Sequence, residues 1–304
     1  MAASVRRLGE IGLIDRFARR LHRPSSVAVG IGDDAAILRL PGAKEHLVFA
    51  SDMLVEGVHF RRADVPLEAV GWKALASNIS DVAAMGGRPH WAVVSLGLPR
   101  STRVDAVDAL YRGLERCARR FDVAIVGGDT VRAPQLVVDV AILGTVGAGQ
   151  EVLRSGGRPG DAVFVTGRLG GSLASGRHAT FTPRLREAHA LLRRVRLHAM
   201  MDLSDGLAID LWRMSRASRV RFELEAARIP RSSSSTTLEG ALTDGEDFEL
   251  LFTVAARDAH RVPRRIGQCA VTRIGAAVSR GVGVTLAHAD GRRTPLKPAG
   301  FQHF

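Results

Sequence analysis

The chain of 304 residues is 46% hydrophobic, which is enough for one large domain or two ordinary domains with sizeable cores. The 43 basic residues exceed the 31 acidic ones, but no long basic run, zinc-finger spacing or aromatic-rich RNA-binding pattern accompanies this charge, so we expect no nucleic-acid partner. Cys117 and Cys269 lack CxxC spacing and no uncharged apolar run reaches membrane-spanning length, so we expect a cytoplasmic protein without disulfides, zinc or membrane association.

Hydrophobic periodicity divides the first half of the chain into alternating helices and strands. We predict helices over residues 4–22, 71–85 and 104–121. We predict strands over residues 25–29, 35–40, 46–50, 91–98, 123–126 and 135–146, and expect the one over 91–98 to be buried. Residues 30–35 could pass for a dinucleotide-binding fingerprint, but the following apolar run stops at Pro41-Gly42 after the length of a strand, so we predict a hairpin.

A polar, turn-rich stretch near residue 150 marks the predicted boundary between two domains, over residues 1–148 and 149–304. In the second domain we predict strands over 162–165 and 199–201, helices over 183–195 and 207–217, and short strands with one helix in the final fifty residues. The glycine turn at 167–172 is predicted to open a helix, and it fits either a phosphate cradle or a tight turn. Because both halves alternate strands and helices, we predict a combined α/β and α+β fold class.

The helix over 71–85 contains a conspicuous carboxylate, Asp81. Leu75, Ile79 and Val82 form an apolar stripe, and alanines make most of the remaining surface small and apolar, so we expect this helix to be buried on several sides. Desolvating a carboxylate that has no partner is costly. Asp81 therefore needs either a cap or arginine partner or a metal ion, and this helix alone leaves both open.

Four further aspartates, Asp33, Asp52, Asp129 and Asp202, each follow an apolar strand and a small residue. Side chains at strand ends meet at one edge of a sheet, where ligands bind. Several acids at one edge repel each other unless cations neutralise them, and Mg²⁺ prefers oxygen ligands and bridges to substrate phosphates. The set therefore favours a Mg²⁺–nucleotide site over a zinc site, although turn and N-cap chemistry also explains each aspartate taken singly.

Longer motifs, in order along almost the whole chain, resemble one known superfamily. They lie at residues 32–36, 51–60, 78–86, 127–130, 154–156, 202–207, 245–250 and 300–304. These stretches look like the ATP-binding superfamily of aminoimidazole ribonucleotide synthetase and selenophosphate synthetase, and most like its thiamine-monophosphate kinases. The resemblance implies an N-terminal α/β domain that dimerises through its sheet, a C-terminal α+β domain, and ATP bound between them with several Mg²⁺ ions.

The same resemblance implies roles for individual residues. Magnesium ligands would be Asp33, Ser51, Asp52, Asp81, Asp129, Asp202 and Asp205; ATP contacts would be Tyr111, Gly128, Asp129, Arg154 and Ser204; substrate contacts would be His59, Glu246 and Phe301. No side chain would act as a catalytic acid or base, because positioning and neutralisation by Mg²⁺ suffice for phosphoryl transfer. Two positions depart from the family pattern: Asp244, where glycine is usual, and Gly171, where an acid is common.

The function implied is ATP-dependent phosphorylation of thiamine monophosphate to thiamine diphosphate, by direct in-line transfer in a homodimer, as a step of thiamine diphosphate biosynthesis. Two alternatives remain open: ATP-driven ring closure of a purine intermediate, as in a sister enzyme, and nucleotide binding without turnover in a regulatory protein. A selenophosphate synthetase is disfavoured, since no cysteine lies near the N-terminus. For His59 and Glu246, packing and strand capping are the alternatives to substrate binding.

Overall fold

The computed structural model describes residues 4–235 and 237–304. The helices are α1 (Val5–Ala18), α2 (Leu67–Ala84), α3 (Val104–Phe121), α4 (Leu185–Leu192), α5 (Leu207–Ser218) and α6 (Leu238–Thr243). The strands are β1 (Val27–Val29), β2 (Ala36–Leu38), β3 (Glu45–Val55), β4 (Arg88–Leu98), β5 (Ala124–Arg132), β6 (Val137–Gly147), β7 (Asp161–Thr166), β8 (Leu197–Asp202), β9 (Val220–Glu225), β10 (Leu250–Ala255), β11 (Arg265–Ile266), β12 (Cys269–Arg280), β13 (Gly283–Ala287) and β14 (Arg293–Leu296).

The strands form two sheets, one from each half of the chain. The first has the order β1-β2-β3-β6-β4-β5, in which β4 and β5 run parallel and the other neighbours antiparallel. The second has the order β14-β13-β9-β12-β7-β10-β8, with β9 and β13 parallel and β11 attached to β12. β1 and β2 pair antiparallel, which confirms the predicted hairpin and excludes the helix that a dinucleotide fingerprint would open.

Helix α2 contains most of the predicted helix over residues 71–85 and packs against both halves of the protein. It contacts β3, β6 and α3 of the first half and α4 and β8 of the second half. A Cβ atom at Gly71 would lie 1.9 Å from the carbonyl oxygen of Leu110, and one at Gly113 would lie 1.8 Å from that of Glu68. The backbones of α2 and α3 therefore touch, and the predicted burial of this helix on several sides is confirmed.

Three predicted helices differ from the observed structure. The first is shorter than 4–22 and is broken at Gly9, whose φ of 70° is not helical. The turn at 167–172 opens no helix, because Gly167, Gly170 and Gly171 have φ values of 61°, 80° and 68°, which an α-helix does not allow. In the final fifty residues the observed helical segment is a 3-10 turn, Ala256–Arg261, rather than an α-helix.

Two strands run past the aspartates at which the prediction ends them. β3 continues through Asp52 to Val55, because Ala50 and Leu54 maintain the alternation of buried side chains on one face. β5 likewise continues through Asp129 to Arg132. These two aspartates therefore lie within strands rather than at strand ends. The prediction that Asp52 and Asp129 meet the other aspartates because they end strands is wrong.

One face of the first sheet is covered by the core around α2, and the other is open. On β4, Ala92, Val94 and Leu96 are buried, whereas Trp91 is 46% exposed and Val93 is 38% exposed. The prediction of a buried strand here is correct for one face only. Phe49 and Met53 of β3 share the open side with Trp91 and Val93, and we call these four residues the outer sheet face. No helix in the described part of the chain combines the length and apolar composition needed to cross a membrane.

Candidate functional site

A cavity of ≈ 580 Å³ that is rich in carboxylates lies where the loop after β1, β3, α2 and the end of β8 meet. Its lining includes Asp33, Asp34, Ser51, Asp52, Asp81, Arg154, Asp202, Ser204 and Asp205, and we call it the acid cavity. The predicted magnesium ligands other than Asp129 all lie here, together with two of the predicted ATP contacts. Residues from both halves of the chain therefore meet at one place.

Three of these carboxylates are close enough to share one cation. One oxygen each of Asp34, Asp81 and Asp202 lies within 4.8 Å of the other two. The side chain of Asp34 is fully buried, and its Oδ2 has no hydrogen-bond partner among residues 4–235 and 237–304. Asp34 is missing from the predicted ligands, although it stands beside Asp33 in the motif at 32–36. That adjacent pair of acids was the signal that could have identified it.

Burial and crowding raise the pKa values of the carboxylates in the acid cavity. Burial, followed by repulsion from Asp34, raises the pKa of Asp33 to about 7. Burial and nearby carboxylates raise the pKa of Asp52 to about 6. The pKa values of Asp81 and Asp202 are raised well above their usual range, first by burial and then by neighbouring carboxylates that include Asp34. Ionising these carboxylates side by side therefore carries an energetic cost.

Arg154 offsets part of this negative charge. Its Nη2 donates a hydrogen bond to Asp34 Oδ1, and its backbone N–H donates to both carboxylate oxygens of Asp33 at 3.2 Å. One guanidinium does not balance these acids together with Asp81 and Asp202. The oxygen-only donor set and the partnerless Oδ2 of Asp34 fit a hard divalent cation such as Mg²⁺. The same donor set does not fit zinc, which favours histidine and cysteine ligands.

Three of the predicted residues, Tyr111, Gly128 and Asp129, are not among the residues that line the acid cavity. Asp129 is exposed on β5, where it pairs in register with Ser95 of β4 and accepts a hydrogen bond from the backbone N–H of Thr130 at 2.7 Å. Tyr111 is 40% exposed on α3. The structure therefore separates these residues from the buried carboxylates of their own chain.

Two other predicted metal ligands lie in the cavity but have other partners. The hydroxyl of Ser51 donates to Asp139 Oδ1 at 3.0 Å, on the open side of the first sheet. Asp205 Oδ2 accepts from Arg213 Nη1 at 2.5 Å. Each of them would have to share or exchange its present partner to bind a cation, unlike Asp34 with its free oxygen atom.

A second group of residues is centred on Lys73 of α2. Its side chain is 2% exposed, and Nζ lies 2.6 Å from Glu246 Oε2 and 3.3 Å from the carbonyl oxygen of His59, to which it donates. Burial raises the pKa of Glu246, and Lys73 opposes that shift. Two predicted substrate residues are therefore joined by a lysine that the sequence interpretation missed. A lysine within an otherwise apolar helix was the available signal.

His59 is uncharged near neutral pH. Burial first, then the neighbouring His303 and Lys73, lower the pKa of His59 to about 4. Its Nδ1 accepts a hydrogen bond from the backbone N–H of Val55 at 3.0 Å, so the proton of the neutral ring is on Nε2. The ring centroids of Phe301 and His303 lie 6.4 Å and 5.2 Å from that of His59. The C-terminal aromatic residues therefore contact His59, which brings two predicted substrate residues together.

The amides of the glycine turn at 167–172 already have carboxylate partners. Gly170 N–H donates to both oxygens of Asp247 at 3.0 Å, and Gly171 N–H donates to Asp244 Oδ2 at 2.8 Å. A phosphate would have to displace two carboxylates, so the structure favours a tight turn over a phosphate cradle. Gly171 and Asp244, the two departures from the family pattern, are thus in contact with each other.

Two family models match the chain: "AIR synthase related protein, N-terminal domain" over residues 32–146, and "AIR synthase related protein, C-terminal domain" over residues 158–287. A thiamine-monophosphate kinase of Rhodopirellula baltica is 40% identical over 301 residues, which cover 93% of this chain and 94% of the relative. One of Bacillus subtilis is 34% identical, and the match covers 98% of this chain and 100% of the relative.

Solved structures of similar proteins indicate the same fold. A structure described as AaThiL complexed with AMPPCP and TMP is 32% identical, superposes with a TM-score of 0.86 and covers 100% of both chains. The hydrogenase maturation protein HypE of E. coli, at 21% identity, has a TM-score of 0.72 over 95% of this chain and 96% of its own, which is a likeness of fold alone. The predicted two-domain, aminoimidazole ribonucleotide synthetase-like fold is confirmed.

Proposed function

Because the chain belongs to the thiamine-monophosphate kinases of the AIR synthase related family, we propose that it transfers the γ-phosphoryl group of ATP to thiamine monophosphate. A phosphate oxygen of thiamine monophosphate bonds to the γ-phosphorus while the bond to the β,γ-bridging oxygen breaks, which gives thiamine diphosphate and ADP. One observation carries the proposal: the acid cavity adjoins the group around Lys73, since the backbone N–H of Glu246 donates to the carbonyl oxygen of Ser204 at 2.6 Å and Ser204 lines the cavity. A phosphate donor and a cationic acceptor would therefore meet between them.

We propose that the acid cavity holds Mg²⁺, with Asp34, Asp81 and Asp202 as the central ligands. The further ligands proposed in this cavity are Asp33, Ser51, Asp52 and Asp205. Asp129 stays a predicted ligand, although it lies outside the acid cavity of its own chain. Bound Mg²⁺ would neutralise the charge that develops on the phosphates during transfer. The chain's own contribution is rigidity, because α2 and the end of β8 are buried and hold their carboxylates in fixed positions before the substrates arrive.

The proposed ATP contacts are Arg154 and Ser204, which line the acid cavity. Tyr111, Gly128 and Asp129 stay predicted ATP contacts, although they lie outside this cavity of their own chain. Arg154 is suited to this role because a guanidinium binds phosphate oxygens through two parallel hydrogen bonds. It pairs with Asp34, so it lies beside the proposed metal site. Ser204 lines the same cavity, and its hydroxyl is available as a donor or acceptor.

The proposed acceptor contacts are His59, Glu246 and Phe301. Glu246 presents a partly neutralised carboxylate beside Lys73, which suits the cationic thiamine or the amine of its pyrimidine ring. His59 offers its Nε2–H as a neutral hydrogen-bond donor to the acceptor phosphate, and Phe301 offers an apolar ring. The acceptor phosphate is already anionic near neutral pH, so the transfer needs no general base.

We further propose that the protein is a homodimer that pairs through the outer sheet face. Phe49 and Met53 of β3 and Trp91 and Val93 of β4 expose 45%, 53%, 46% and 38% of their surface on the same side of the sheet. Their strands flank β6, and together they form a largely apolar patch. Patches of this kind on a sheet are normally covered by a partner. The domain boundary near residue 148 and the cytoplasmic location stay predictions.

Product analysis tests the proposed reaction. We expect the protein with Mg²⁺ and ATP to form ADP and thiamine diphosphate in equal amounts from thiamine monophosphate, and to form no ADP with the purine intermediate of the sister enzymes. ADP with the purine intermediate alone would assign the sister activity. ATP binding without ADP release under either condition would assign a regulatory protein.

A further inference from the structure

A second cavity, of ≈ 1020 Å³, lies on the surface formed by the end of α3, the start of α4, the turn after β7 and the start of β12. It has no lining residue in common with the acid cavity. Its lining includes six arginines: Arg120, Arg168, Arg177, Arg184, Arg186 and Arg193. Its carboxylates are Asp122, Glu187 and Glu249, so positive charge is in excess, and we call it the arginine cavity.

Some of these arginines are paired with carboxylates of the protein, and others are not. Arg184 donates to both oxygens of Glu249, at 2.6 Å and 2.5 Å, and Arg177 lies 3.5 Å from the same carboxylate. The side chains of Arg186 and Arg193, by contrast, have no ion pair or hydrogen bond within the described ranges 4–235 and 237–304. Two guanidiniums at the cavity are therefore available to a ligand without breaking an internal pair.

The first turn of α4 adds to the positive potential in the same place. Arg184 is the N-cap residue and makes no side-chain capping bond, and the first helical hydrogen bond is donated by Ala188. The N–H groups of Leu185 and Arg186 consequently lack acceptors in the part of the chain that the structure describes. Free amides at the start of a helix attract anions, and the two residues that carry them line the same cavity as the free guanidiniums.

The size and chemistry of the cavity define the class of ligand. Its volume lies at the upper end of the range for small-molecule sites, and it is concave rather than an extended stripe as for nucleic acid. Several guanidiniums around one concavity match phosphate groups, which accept paired hydrogen bonds from arginine. We propose that the arginine cavity binds a small molecule that bears two or more phosphate groups.

Inorganic pyrophosphate is the probe for this site. Titration calorimetry without Mg²⁺ and with EDTA keeps the probe out of the acid cavity, whose carboxylates repel it. We expect one binding site on the wild-type protein. Its affinity should fall roughly tenfold for each charged contact removed in the double variant Arg186→Gln/Arg193→Gln. Melting curves should be unchanged, because these two side chains have no internal partners.

The matched control is Arg194→Gln/Arg196→Gln. It removes the same charge from exposed residues of the neighbouring cavity, which Arg193 also borders. We expect this control to bind pyrophosphate as tightly as the wild type. The proposal is overturned if the wild type does not bind, if Arg186→Gln/Arg193→Gln binds unchanged, or if both double variants lose affinity equally. The measurement uses neither ATP nor thiamine monophosphate, so its outcome is independent of the proposed reaction.

Discussion

Asp81 lies on α2, and its negative charge is repelled by Asp34, Asp52 and Asp202. Replacement by asparagine keeps the volume of the side chain and removes that repulsion. We therefore expect Asp81→Asn to raise the Tm of the metal-free protein by roughly 2 °C for each kcal/mol of repulsion relieved. The same variant should lower kcat at limiting Mg²⁺ by roughly a hundredfold or more. Calorimetry in EDTA and ADP-release kinetics measure the two effects.

Asp34→Asn is the matched comparison for Asp81→Asn, because Asp34 accepts a hydrogen bond from Arg154. Weakening this pair should lower the Tm of the metal-free protein, while kcat should fall as it does for Asp81→Asn. Unchanged kcat for both variants at limiting Mg²⁺ would rule out the acid cavity as the metal site. Equal Tm shifts of the same sign would contradict the repulsion argument.

His59 gives the stability of the fold a pH dependence of defined sign. Its pKa is about 4 in the folded protein, lowered from 6.5. Between these values the unfolded chain binds a proton here and the folded chain does not, so stability is lost as the pH falls from about 6.5 towards about 4. We expect the free energy of unfolding of the wild type, minus that of His59→Asn, to decrease as the pH falls through this window.

Urea denaturation at several pH values measures this difference for His59→Asn. The control is His260→Asn, since His260 is exposed on the 3-10 turn Ala256–Arg261. The unfolding free energy of the wild type minus that of this control should not show the decrease expected for His59→Asn. A difference between wild type and His59→Asn that stays constant from neutral to acidic pH would show that His59 titrates normally in the folded state.

The sequence identified most of the candidate site but missed two of its buried charged residues, Asp34 and Lys73. Motif resemblance and the recurrence of aspartate after apolar runs identified Asp81 and Asp202, which the structure places within 4.8 Å of Asp34 through one oxygen each. Asp34 itself was missed because the prediction took only the first of two adjacent acids, and both of their side chains are buried. Lys73 was missed because its partner Glu246 lies far along the chain, and local periodicity does not encode that contact.

Among the structural elements, the segment between α6 and β10 is the most strained part of the candidate site. Glu246 and Phe248 have φ values of 57° and 49°, a conformation that is costly for residues other than glycine. The carboxylates on either side of Phe248 hold it in place: Asp247 accepts from Gly170, and Glu249 accepts from Arg184. The position of Glu246 therefore depends on ion pairs made at the arginine cavity.

This dependence predicts an asymmetry between two substitutions. Glu249 is 1% exposed and Arg184 is 21% exposed, so Arg184→Met leaves a buried carboxylate with fewer partners, whereas Glu249→Gln leaves an arginine that water can reach. We expect Arg184→Met to cost about 3–5 kcal/mol of stability and Glu249→Gln clearly less. Arg184→Met should also raise KM for thiamine monophosphate more than KM for ATP. Denaturation curves and initial rates at varied substrate concentrations measure these effects.

An equal loss of stability in Arg184→Met and Glu249→Gln would show that water reaches Glu249 as easily as Arg184. If KM for ATP rises as much as KM for thiamine monophosphate, the segment between α6 and β10 does not act specifically on the binding of thiamine monophosphate. Glu246→Gln gives the reference value for KM, because it removes the acceptor contact itself. We expect its effect on KM for thiamine monophosphate to be roughly tenfold to a hundredfold.

The order of the elements was largely predictable, and the errors at β3 and at the turn over 167–172 have one physical cause. The sequence interpretation treated aspartate and glycine as ends of strands or starts of helices. β3 continues through Asp52 because its partner β6 pairs with it along its whole length, including Asp52 with Val140. The turn at 167–172 fails to become a helix because Asp244 and Asp247 bind its amides. Both outcomes depend on residues distant in sequence.

At the scale of the whole molecule, the outer sheet face is the reason why we expect a dimer. Trp91 and Val93 of β4 project to the same side of the sheet as Phe49 and Met53 of β3, with β6 between the two strands, and all four are exposed in the single chain. Burying such a patch in a two-fold interface removes apolar surface from water on both copies, at roughly 25 cal/mol for each Å² buried. A lysine at either β4 position would place an unpaired charge in that interface.

We therefore expect the wild-type protein to have about twice the chain mass of 32.6 kDa in solution, and Trp91→Lys/Val93→Lys to be monomeric at the same micromolar concentration. Light scattering coupled to size exclusion measures both masses. Val104→Lys is the matched control, since Val104 is 77% exposed at the start of α3 and lies outside the outer sheet face. It should remain dimeric. A monomeric wild type, or a Trp91→Lys/Val93→Lys variant that stays dimeric, would exclude this face as the interface.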